Sequence, residues 1–422
     1  MTEEIKNRIE SIRKGEIPKG YRYTKDIGIA PTDWKLGKMS DIIENISRPV
    51  PKPDKPYWRL GIKSWAKGTF HAFVDDPETV DMDELYEVKE NDLIVNITFA
   101  WEHAIAIAKK EDEGLLVSHR FPTYVFKDGQ IPEYYQAVIS QQYFKDMLDH
   151  ISPGGAGRNR VLNRKDFLNL PCYIPSLVEQ RKIAEVLSTC DSVIELKQEL
   201  IAEKRKQKKW LMQALFTPDS DMRLLGFEKA QWKQISLGDE CVMFSGGTPK
   251  AGKDEYYSEG TIPFIRSGEI SKTSTELFLT ELGYKNCSAK MIEIGDILYA
   301  LYGANSGDCS ISKMKGAINQ AILCIRPRTI DRKLLYYLLC SLKEKIVSTY
   351  LQGGQGNLSA EIIKKLVVNV PVDEKYQKAI IERLIIADKE ISLLEQELET
   401  WQQKKKALMQ LLLTGIIRIG GH

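Results

Sequence analysis

Two long helical segments of this chain are copies of each other, and this repeat constrains the fold more than any other feature of the sequence. The residues KKWLMQALFT at 208–217 recur as KKALMQLLLT at 405–414. Asp191 and Asp388 keep the same separation of 197 residues. Self-similarity over this length predicts two similar halves in tandem, each of which ends in a long helix.

The remainder of the two halves repeats more faintly. Each half opens with a Trp-Lys pair, at Trp34 and at Trp232. The strand-like runs that begin at Asp92 and Asp296 are 204 residues apart, so the spacing drifts in the middle of each half. This pattern predicts a repeated framework with different interiors, as expected for two versions of one module that recognise different things.

Composition limits what such a protein can be. A chain of 422 residues with 43% hydrophobic residues can form two or more domains with real cores. No apolar run reaches about 18 residues, so no membrane span is predicted. The charged N-terminus, MTEEIKNRIE, argues against a secretory signal, and the seven cysteines form no Cys-x-x-Cys pair, as in a cytoplasmic protein. The formal net charge is only +2, so binding to nucleic acid would require a local basic surface.

The two long segments have the spacing of a coiled coil. Apolar residues of the second copy recur at alternate steps of four and three, which keeps one stripe facing a partner helix. The first copy is weaker because Lys197, Lys204 and Lys208 lie on its seam. A helix of about 38 residues is about 57 Å long. Halves related by two-fold symmetry would pack the helices antiparallel, while a generic helical hairpin is the alternative. The predicted seam residues are Ile183, Leu187, Ile194, Ile201, Leu211, Leu215, Ile380, Leu384, Ile391, Leu394, Leu398, Trp401, Leu408 and Leu412.

Strands mixed with helices, without a strict βαβ rhythm, predict an α+β fold for the regions outside the long helices. The overall prediction is two globular domains in a tandem pseudo-repeat, separated by two long antiparallel coiled-coil helices. The predicted strands are 93–98, 105–108, 124–126, 240–244, 262–265, 297–301 and 321–325, and the predicted shorter helices are 134–148 and 333–350. The predicted divisions are an N-terminal helical segment (1–30), a first globular domain (31–173), a first spacer helix (174–217), a linker (218–231), a second globular domain (232–370) and a second spacer helix (371–422).

No complete catalytic or metal-binding motif is present in the sequence. The run from Gly247 to Asp254 fits a phosphate-binding P-loop except at its last position, where an acid replaces the hydroxyl that would bind Mg²⁺. The run Asp373-Glu374-Lys375 resembles a nuclease element, but it fits better as acidic residues at the start of a helix. The five histidines lack the spacing of metal ligands. We therefore predict neither catalytic residues nor metal ligands.

Several segments of the second half resemble the specificity subunit of type I restriction-modification enzymes. These segments are Trp232–Asp239, Ser245–Lys250, Ile262–Glu269, Gly295–Gly303 and Ile318–Gln320. The first half carries a divergent version of these segments in Trp101–Ile107 and Gly114–Pro122. It has Ser-Arg-Pro-Val at 47–50 in place of the Gly-Gly-Thr-Pro of the second half. The resemblance covers nearly the whole chain, and the combination of two modules and two helices is its most specific part.

This resemblance implies a non-catalytic subunit that recognises double-stranded DNA. In this family each target recognition domain reads one half of a split sequence, and the helices set the gap between the halves. The helices also dock two methyltransferase (modification) subunits, which bind S-adenosylmethionine and methylate adenine, while restriction/translocase subunits add ATP-driven translocation and cleavage. The chain itself is expected to bind no cofactor, with S-adenosylmethionine, ATP and Mg²⁺ on the partner subunits.

Basic and amide side chains in loops are the predicted contacts to DNA. Cations bind phosphates, whereas Arg or Lys with guanine and Asn or Gln with adenine are the favoured pairings at base edges. In the first half, aromatic residues interleave with these cations, and a glycine-rich turn at 154–157 precedes others. The predicted DNA-binding residues are Arg48, Lys52, Lys55, Arg59, Lys63, Arg158, Asn159, Arg160, Thr248, Lys250, Lys253, Arg266, Ser267 and Asn357.

Two other classes of protein remain as alternatives. One is the target-reading part of a self-sufficient restriction and methylation enzyme, which methylation by the purified chain would reveal. The other is a coiled-coil assembly scaffold with no role on DNA, which would fail to shift random duplexes at low salt. The missing methyltransferase and nuclease motifs argue against the first.

Overall fold

The computed structural model describes residues 2–154, 160–218, 231–250, 252–351 and 357–419. The chain divides into two compact units, defined here as unit 1 (Met1–Leu196 with Leu398–His422) and unit 2 (Lys197–Glu397). Each unit therefore contains one globular module and part of each long helix. None of the described helices is long and apolar enough to cross a membrane.

The first half of the chain is α+β, as predicted. The N-terminal segment is helical only at its start and continues as a β-hairpin, so the prediction of a helical segment over 1–30 is wrong for its second part. The elements are α1 (Glu3–Arg13), β1 (Tyr21–Thr24), β2 (Gly28–Pro31), β3 (Lys35–Lys38), α2 (Met39–Ile42), β4 (Ile43–Ile46), β5 (Pro49–Pro51), β6 (Tyr57–Ile62), β7 (Thr69–Val74), β8 (Glu84–Glu87), β9 (Leu93–Val95), β10 (Ile105–Ile107), β11 (Leu116–Val117), β12 (Thr123–Phe126), α3 (Pro132–Ile139), α4 (Gln142–His150), α5 (Arg164–Asn169), β13 (Pro171–Ile174) and α6 (Leu177–Leu215).

The second half repeats this arrangement with fewer strands and a longer helix after its main sheet. Its elements are β14 (Trp232–Ser236), α7 (Leu237–Glu240), β15 (Cys241–Ser245), β16 (Ile262–Ile265), β17 (Phe278–Leu279), α8 (Glu281–Lys285), β18 (Lys290–Ile292), β19 (Ile297–Ala300), β20 (Cys309–Ile311), β21 (Gly316–Ile318), β22 (Ile322–Pro327), α9 (Arg332–Leu351), α10 (Ala360–Lys364), β23 (Val367–Pro371) and α11 (Glu374–Leu413).

Both units contain the same four-stranded antiparallel sheet. Its strand order is β10-β9-β12-β4 in unit 1 and β20-β19-β22-β15 in unit 2. Each unit also has a second sheet in which one parallel pair recurs, β6 with β11 and β16 with β21. The two modules therefore share a framework, as the faint sequence repeat predicts.

The long helices contribute to the core of each unit. In unit 1 the buried cluster includes Leu93 of the main sheet, Ile183 of α6 and Leu412 of α11. In unit 2 the corresponding cluster includes Leu215 of α6 and Leu384 of α11. A seam of apolar residues that neither helix could bury alone is thus covered at its ends by the modules.

The shorter elements confirm most of the sequence predictions. The predicted strands correspond to β9, β10, β12, β15, β16, β19 and β22, and the helix predicted at 333–350 is α9. The single helix predicted at 134–148 is wrong, because the chain breaks into α3 and α4. Gln141 has extended backbone angles there, and the Ser140 hydroxyl donates to the Ala137 carbonyl.

The segments that resemble catalytic motifs have structural roles. The Asp373 carboxylate accepts hydrogen bonds from the backbone amides of Lys375 and Tyr376 at the start of α11, as predicted for an acidic helix start. The P-loop-like run is followed by a three-residue 3-10 turn at Asp254–Tyr256 rather than by an α-helix.

Candidate nucleic-acid interface

One edge of the main sheet in unit 1 is a meeting point of three chain segments, which we call the first junction (96–104, 118–122 and 160–163). The Ile97 amide donates to the Arg120 carbonyl at 3.0 Å, and the Leu162 amide donates to the Ile97 carbonyl at 2.8 Å. The Arg120 amide donates to the Ser118 hydroxyl oxygen at 3.4 Å. These bonds bring together residues that are far apart in sequence.

Unit 2 builds the same meeting point, the second junction (246–250, 301–308, 319–321 and 357–359). The Leu301 amide donates to the Ala321 carbonyl at 2.8 Å, and the Leu358 amide donates to the Leu301 carbonyl at 2.9 Å. The Ala321 amide donates to the Asn319 side-chain oxygen at 3.1 Å. Each bond has its counterpart in the first junction, so the backbone scaffold is repeated although the side chains differ.

The Gly-Gly-Thr-Pro run belongs to the second junction. A Cβ atom on Gly246 would lie 1.7 Å from the Ile318 carbonyl oxygen, so only glycine allows this approach. The Thr248 hydroxyl donates to the side-chain oxygen of Gln320 at 2.6 Å, and the Tyr302 hydroxyl donates to the Gln320 carbonyl at 2.6 Å. The exposed side-chain amide of Gln320 is therefore held by Thr248, and its backbone is held by Tyr302.

A buried carboxylate at the start of the central strand is neutralised differently in the two units. In unit 1 the guanidinium of Arg48, which lies between β4 and β5, donates to both Asp92 oxygens at 2.5 and 3.1 Å. In unit 2 the guanidinium of Arg326, within β22, donates to both Asp296 oxygens. Burial acts to raise the pKa of Asp296, but hydrogen bonds from Arg326 and a backbone amide outweigh it, and the pKa lies below its usual value.

Register identifies the substitution behind this difference. The strand pair β4–β12 of unit 1 corresponds to the pair β15–β22 of unit 2. When the two pairs are aligned by their register, Arg48 occupies the position of Gly246, and Val125 occupies the position of Arg326. The arginine thus comes from the segment after β4 in unit 1 and from β22 in unit 2. Arg48 is one of the predicted DNA contacts, but its guanidinium is bound in this ion pair.

The other predicted DNA-binding residues of unit 1 differ in availability. Lys55, Arg59 and Lys63 are exposed along the β6–β7 hairpin. The Lys52 ammonium donates to the Val80 carbonyl. The Arg160 guanidinium donates to the carbonyls of Ser152 and Asp149 and pairs with the Asp149 carboxylate. The predicted residues Arg158 and Asn159 lie outside the described residues.

In unit 2 the predicted DNA-binding residues are likewise divided. Lys250 and Asn357 are exposed, and Thr248 holds Gln320. Lys253 pairs with Glu255, and the Arg266 guanidinium donates to Glu269 and Glu276. Ser267 is partly buried.

Sequence reasoning missed three exposed side chains at the tips of the two junctions, which we define as residues 118–120 and 319–321. His119 and Arg120 in the first junction and Gln320 in the second are exposed. A signal was available for Gln320, because it closes the run Ile318–Gln320 that carries the family resemblance. His119 and Arg120 likewise lie in Gly114–Pro122, a run that carries the resemblance in the first half, but their place at the junction depends on bonds to a distant loop.

The long helices pack antiparallel in both units. In unit 2, Lys197 pairs with Glu397 at 2.6 Å and Lys204 with Glu390 at 2.5 Å, so residue numbers rise on one helix as they fall on the other. Each lysine that weakens the apolar seam of α6 is thus matched by an acid on α11, and Lys208 pairs with Asp388 in the same way.

The Lys208–Asp388 pair has a counterpart in unit 1. Lys405 pairs with Asp191, and both residues lie at the repeat positions of the first pair. The two ion pairs are therefore related by the internal repeat of the helices. Of the predicted seam residues, Ile183, Leu187, Ile201, Leu215, Ile380, Leu384 and Leu412 are buried, whereas Ile194, Leu211, Ile391, Leu394, Leu398, Trp401 and Leu408 are partly buried.

The sequence of this chain is similar to that of known proteins over most of its length. The profile of the family described as "Type I restriction modification DNA specificity domain" matches residues 31–203 and 229–401. The MjaVIII type I restriction enzyme specificity subunit of Methanocaldococcus jannaschii is 26% identical over 419 residues, which cover 92% of this chain and 94% of that protein. Among the described residues, no cluster of His, Cys, Asp or Glu is placed to hold a metal ion.

Two solved structures have a similar fold. A structure from a study of complex assembly and conformational transition in the type I restriction-modification system covers 92% of this chain and 99% of its own, with a TM-score of 0.60 at 17% identity. The S subunit of a type I restriction-modification system from M. genitalium covers 93% of this chain and 97% of its own, with a TM-score of 0.54 at 16% identity. At these identities the likeness concerns the fold alone.

Proposed function

Because the chain belongs to the family of type I restriction-modification DNA specificity subunits, which are non-catalytic, we propose that it reads a bipartite target in double-stranded DNA. Each unit reads one half of that target. The observation that carries this proposal is the pair of junctions, which repeat one backbone arrangement and present different side chains. A protein that reads two different half-sequences needs such a scaffold twice.

In this proposal, exposed cations near the two junctions supply affinity for DNA. Lys55, Arg59 and Lys63 in unit 1 and Lys250 in unit 2 are free to meet phosphates, and such contacts weaken binding as salt rises. Residues that are bonded within their unit, such as Arg48, position the loops instead.

The two long helices set the gap between the half-sites and dock two methyltransferase subunits. Their support is the repeated ion pairs, which fix the antiparallel register, and the partly buried residues along the middle of the seam. A partner that binds once to each repeat would bind twice to the chain. S-adenosylmethionine, and ATP with Mg²⁺ where a restriction subunit takes part, belong to those partners.

The experiment is to express the chain with the methyltransferase subunit of a type I system in a host that lacks adenine methylation, and to map methylated adenines across its DNA. The expected result is one bipartite motif with a fixed gap, absent without the chain. Methylation by the chain alone would favour the self-sufficient enzyme. Methylation of unchanged pattern in its absence would contradict the proposal and favour a scaffold.

A further inference from the structure

The tips of the two junctions differ in the chemistry they present. At matching positions in the register, the first junction has Ser118, His119 and Arg120, and the second has Asn319, Gln320 and Ala321. Ser118 and Asn319 make the same side-chain bond to the following backbone, so the path of the chain is the same. Recognition of base edges depends on side-chain type, so the two tips suit different bases.

Arg120 is the available arginine of the first junction. Its amide and carbonyl are both fixed by hydrogen bonds, and its side chain is exposed. Among the described residues, its guanidinium has no bonded partner, whereas Arg160 and Arg164 donate to backbone carbonyls of the same unit. A free guanidinium on a fixed backbone is suited to the bidentate contact with O6 and N7 of guanine.

Gln320 occupies the tip of the second junction as an oriented amide. The Thr248 hydroxyl donates to its side-chain oxygen, which leaves the amide NH₂ group and one oxygen lone pair directed to other partners. Tyr302 fixes the Gln320 backbone. A glutamine whose rotamer is already set loses less conformational entropy on binding, and its amide fits N6 and N7 of adenine.

We propose that unit 1 reads a guanine through Arg120 and that unit 2 reads an adenine through Gln320. This inference rests on the proposed function and assigns one base to each half of the target. Thr248 and Tyr302 are positioning residues for Gln320, and the Gly-Gly-Thr-Pro run serves to hold this amide. The bidentate geometry provides discrimination of about tenfold to a hundredfold against other bases at each position.

The test is to map adenine methylation by the complex of the chain with its methyltransferase partner, for the unchanged chain and for Arg120→Ala, Arg120→Lys and Gln320→Ala. The unchanged chain should give a motif with a guanine in one half and an adenine, beyond the methylated one, in the other. Arg120→Ala should relax one guanine position and leave the other half unchanged, and Arg120→Lys should relax the same position less, because an ammonium group can still bind guanine. Gln320→Ala should relax one adenine position in the opposite half.

The controls are Arg13→Ala and Gln234→Ala, which remove exposed side chains of the same types outside the junctions and should leave the motif unchanged. An unaltered motif in the junction variants would overturn the inference while the proposed function stands. Loss of all methylation by both Arg120 variants, with unfolding excluded by a thermal melt, would also overturn the inference. Such a loss would indicate a phosphate contact, whose removal weakens binding to every sequence alike. Absence of any bipartite motif for the unchanged chain would instead contradict the proposed function.

Discussion

At the scale of single residues, each unit has a buried carboxylate at the equivalent position, but the arginine that pairs with it comes from a different place in the two units. Asp92 receives its arginine from residue 48, and Asp296 receives its arginine from residue 326. Breaking a buried ion pair by removing one partner leaves an uncompensated charge, which is more costly than the pair is stabilising. The arginine at position 48 is therefore explained by an exchange with position 125, because the arginine follows β4 in unit 1 and lies within β22 in unit 2.

We expect Arg48→Ala to lower the free energy of unfolding of unit 1 by about 3–5 kcal/mol, because Asp92 would remain buried without its arginine. Urea unfolding followed by tryptophan fluorescence measures this loss. The double variant Arg48→Gly with Val125→Arg copies the arrangement of unit 2 and should recover part of it. Equal stability of Arg48→Ala and the exposed control Lys55→Ala would contradict the structural role.

A second prediction concerns Glu269 in unit 2 and acid. Burial acts to raise the pKa of Glu269, but hydrogen bonds from Arg266 and backbone amides lower it to about 2 from a usual value of 4.5. A depressed pKa adds stability that is complete above pH 4.5 and is lost as the pH falls toward 2. At neutral pH this contribution is at most about 3 kcal/mol.

Glu269→Gln should therefore destabilise unit 2 at pH 7, and the difference from the unchanged chain should shrink as the pH falls toward 3. Thermal melts across this range provide the measurement. The exposed Glu259→Gln is the matched control and should show no such trend. A difference that is independent of pH would show that the carboxylate contributes nothing through its charge.

At the scale of elements, the sequence predicts what local patterns encode and misses what distant contacts decide. The heptad spacing predicts α6 and α11 correctly, and the seam lysines find acids on the opposite helix. The break between α3 and α4 has no proline or glycine to announce it. Arg120 and Gln320 acquire their roles from loops brought together by the sheet, which no spacing along the chain can reveal.

The two repeat-related ion pairs of the helices should differ in strength. Asp388 binds Lys208 and also accepts a hydrogen bond from Tyr337 at 2.7 Å, whereas unit 1 has Ala137 at the matching position of α3. We expect Asp388→Ala to cost about 1–3 kcal/mol, because it also leaves the hydroxyl of the buried Tyr337 without its partner. Asp191→Ala should cost less than about 1 kcal/mol, as for an exposed pair. Equal losses in urea unfolding would contradict this ranking.

The length of the helices is the second prediction at this scale. Deleting one heptad from each helix, at positions related by the repeat, shortens the pair by about 10 Å and keeps the seam in register. In the methylation map the gap between half-sites should become shorter while both half-sequences stay the same. A changed half-sequence would count against the role of the helices as a spacer.

At the scale of the whole molecule, the internal repeat is the main determinant of what the chain can do. In the proposed function the two copies of one framework are two readers, and the different side chains at their junctions allow each to recognise its own bases. Affinity from phosphate contacts is shared by all sequences, so specificity has to arise from contacts that depend on the bases, which the proposal places at the two junctions. The two halves of the target should therefore contribute separately to binding.

The most direct test of this claim is the affinity of the complex of the chain with its methyltransferase partner for four duplexes at one fixed salt concentration. These duplexes carry the mapped motif intact, with the first half replaced, with the second half replaced, and with both replaced. We predict that each single replacement weakens binding and that the double replacement weakens it by the sum of the two free-energy changes. Full affinity after replacement of either half would contradict the account.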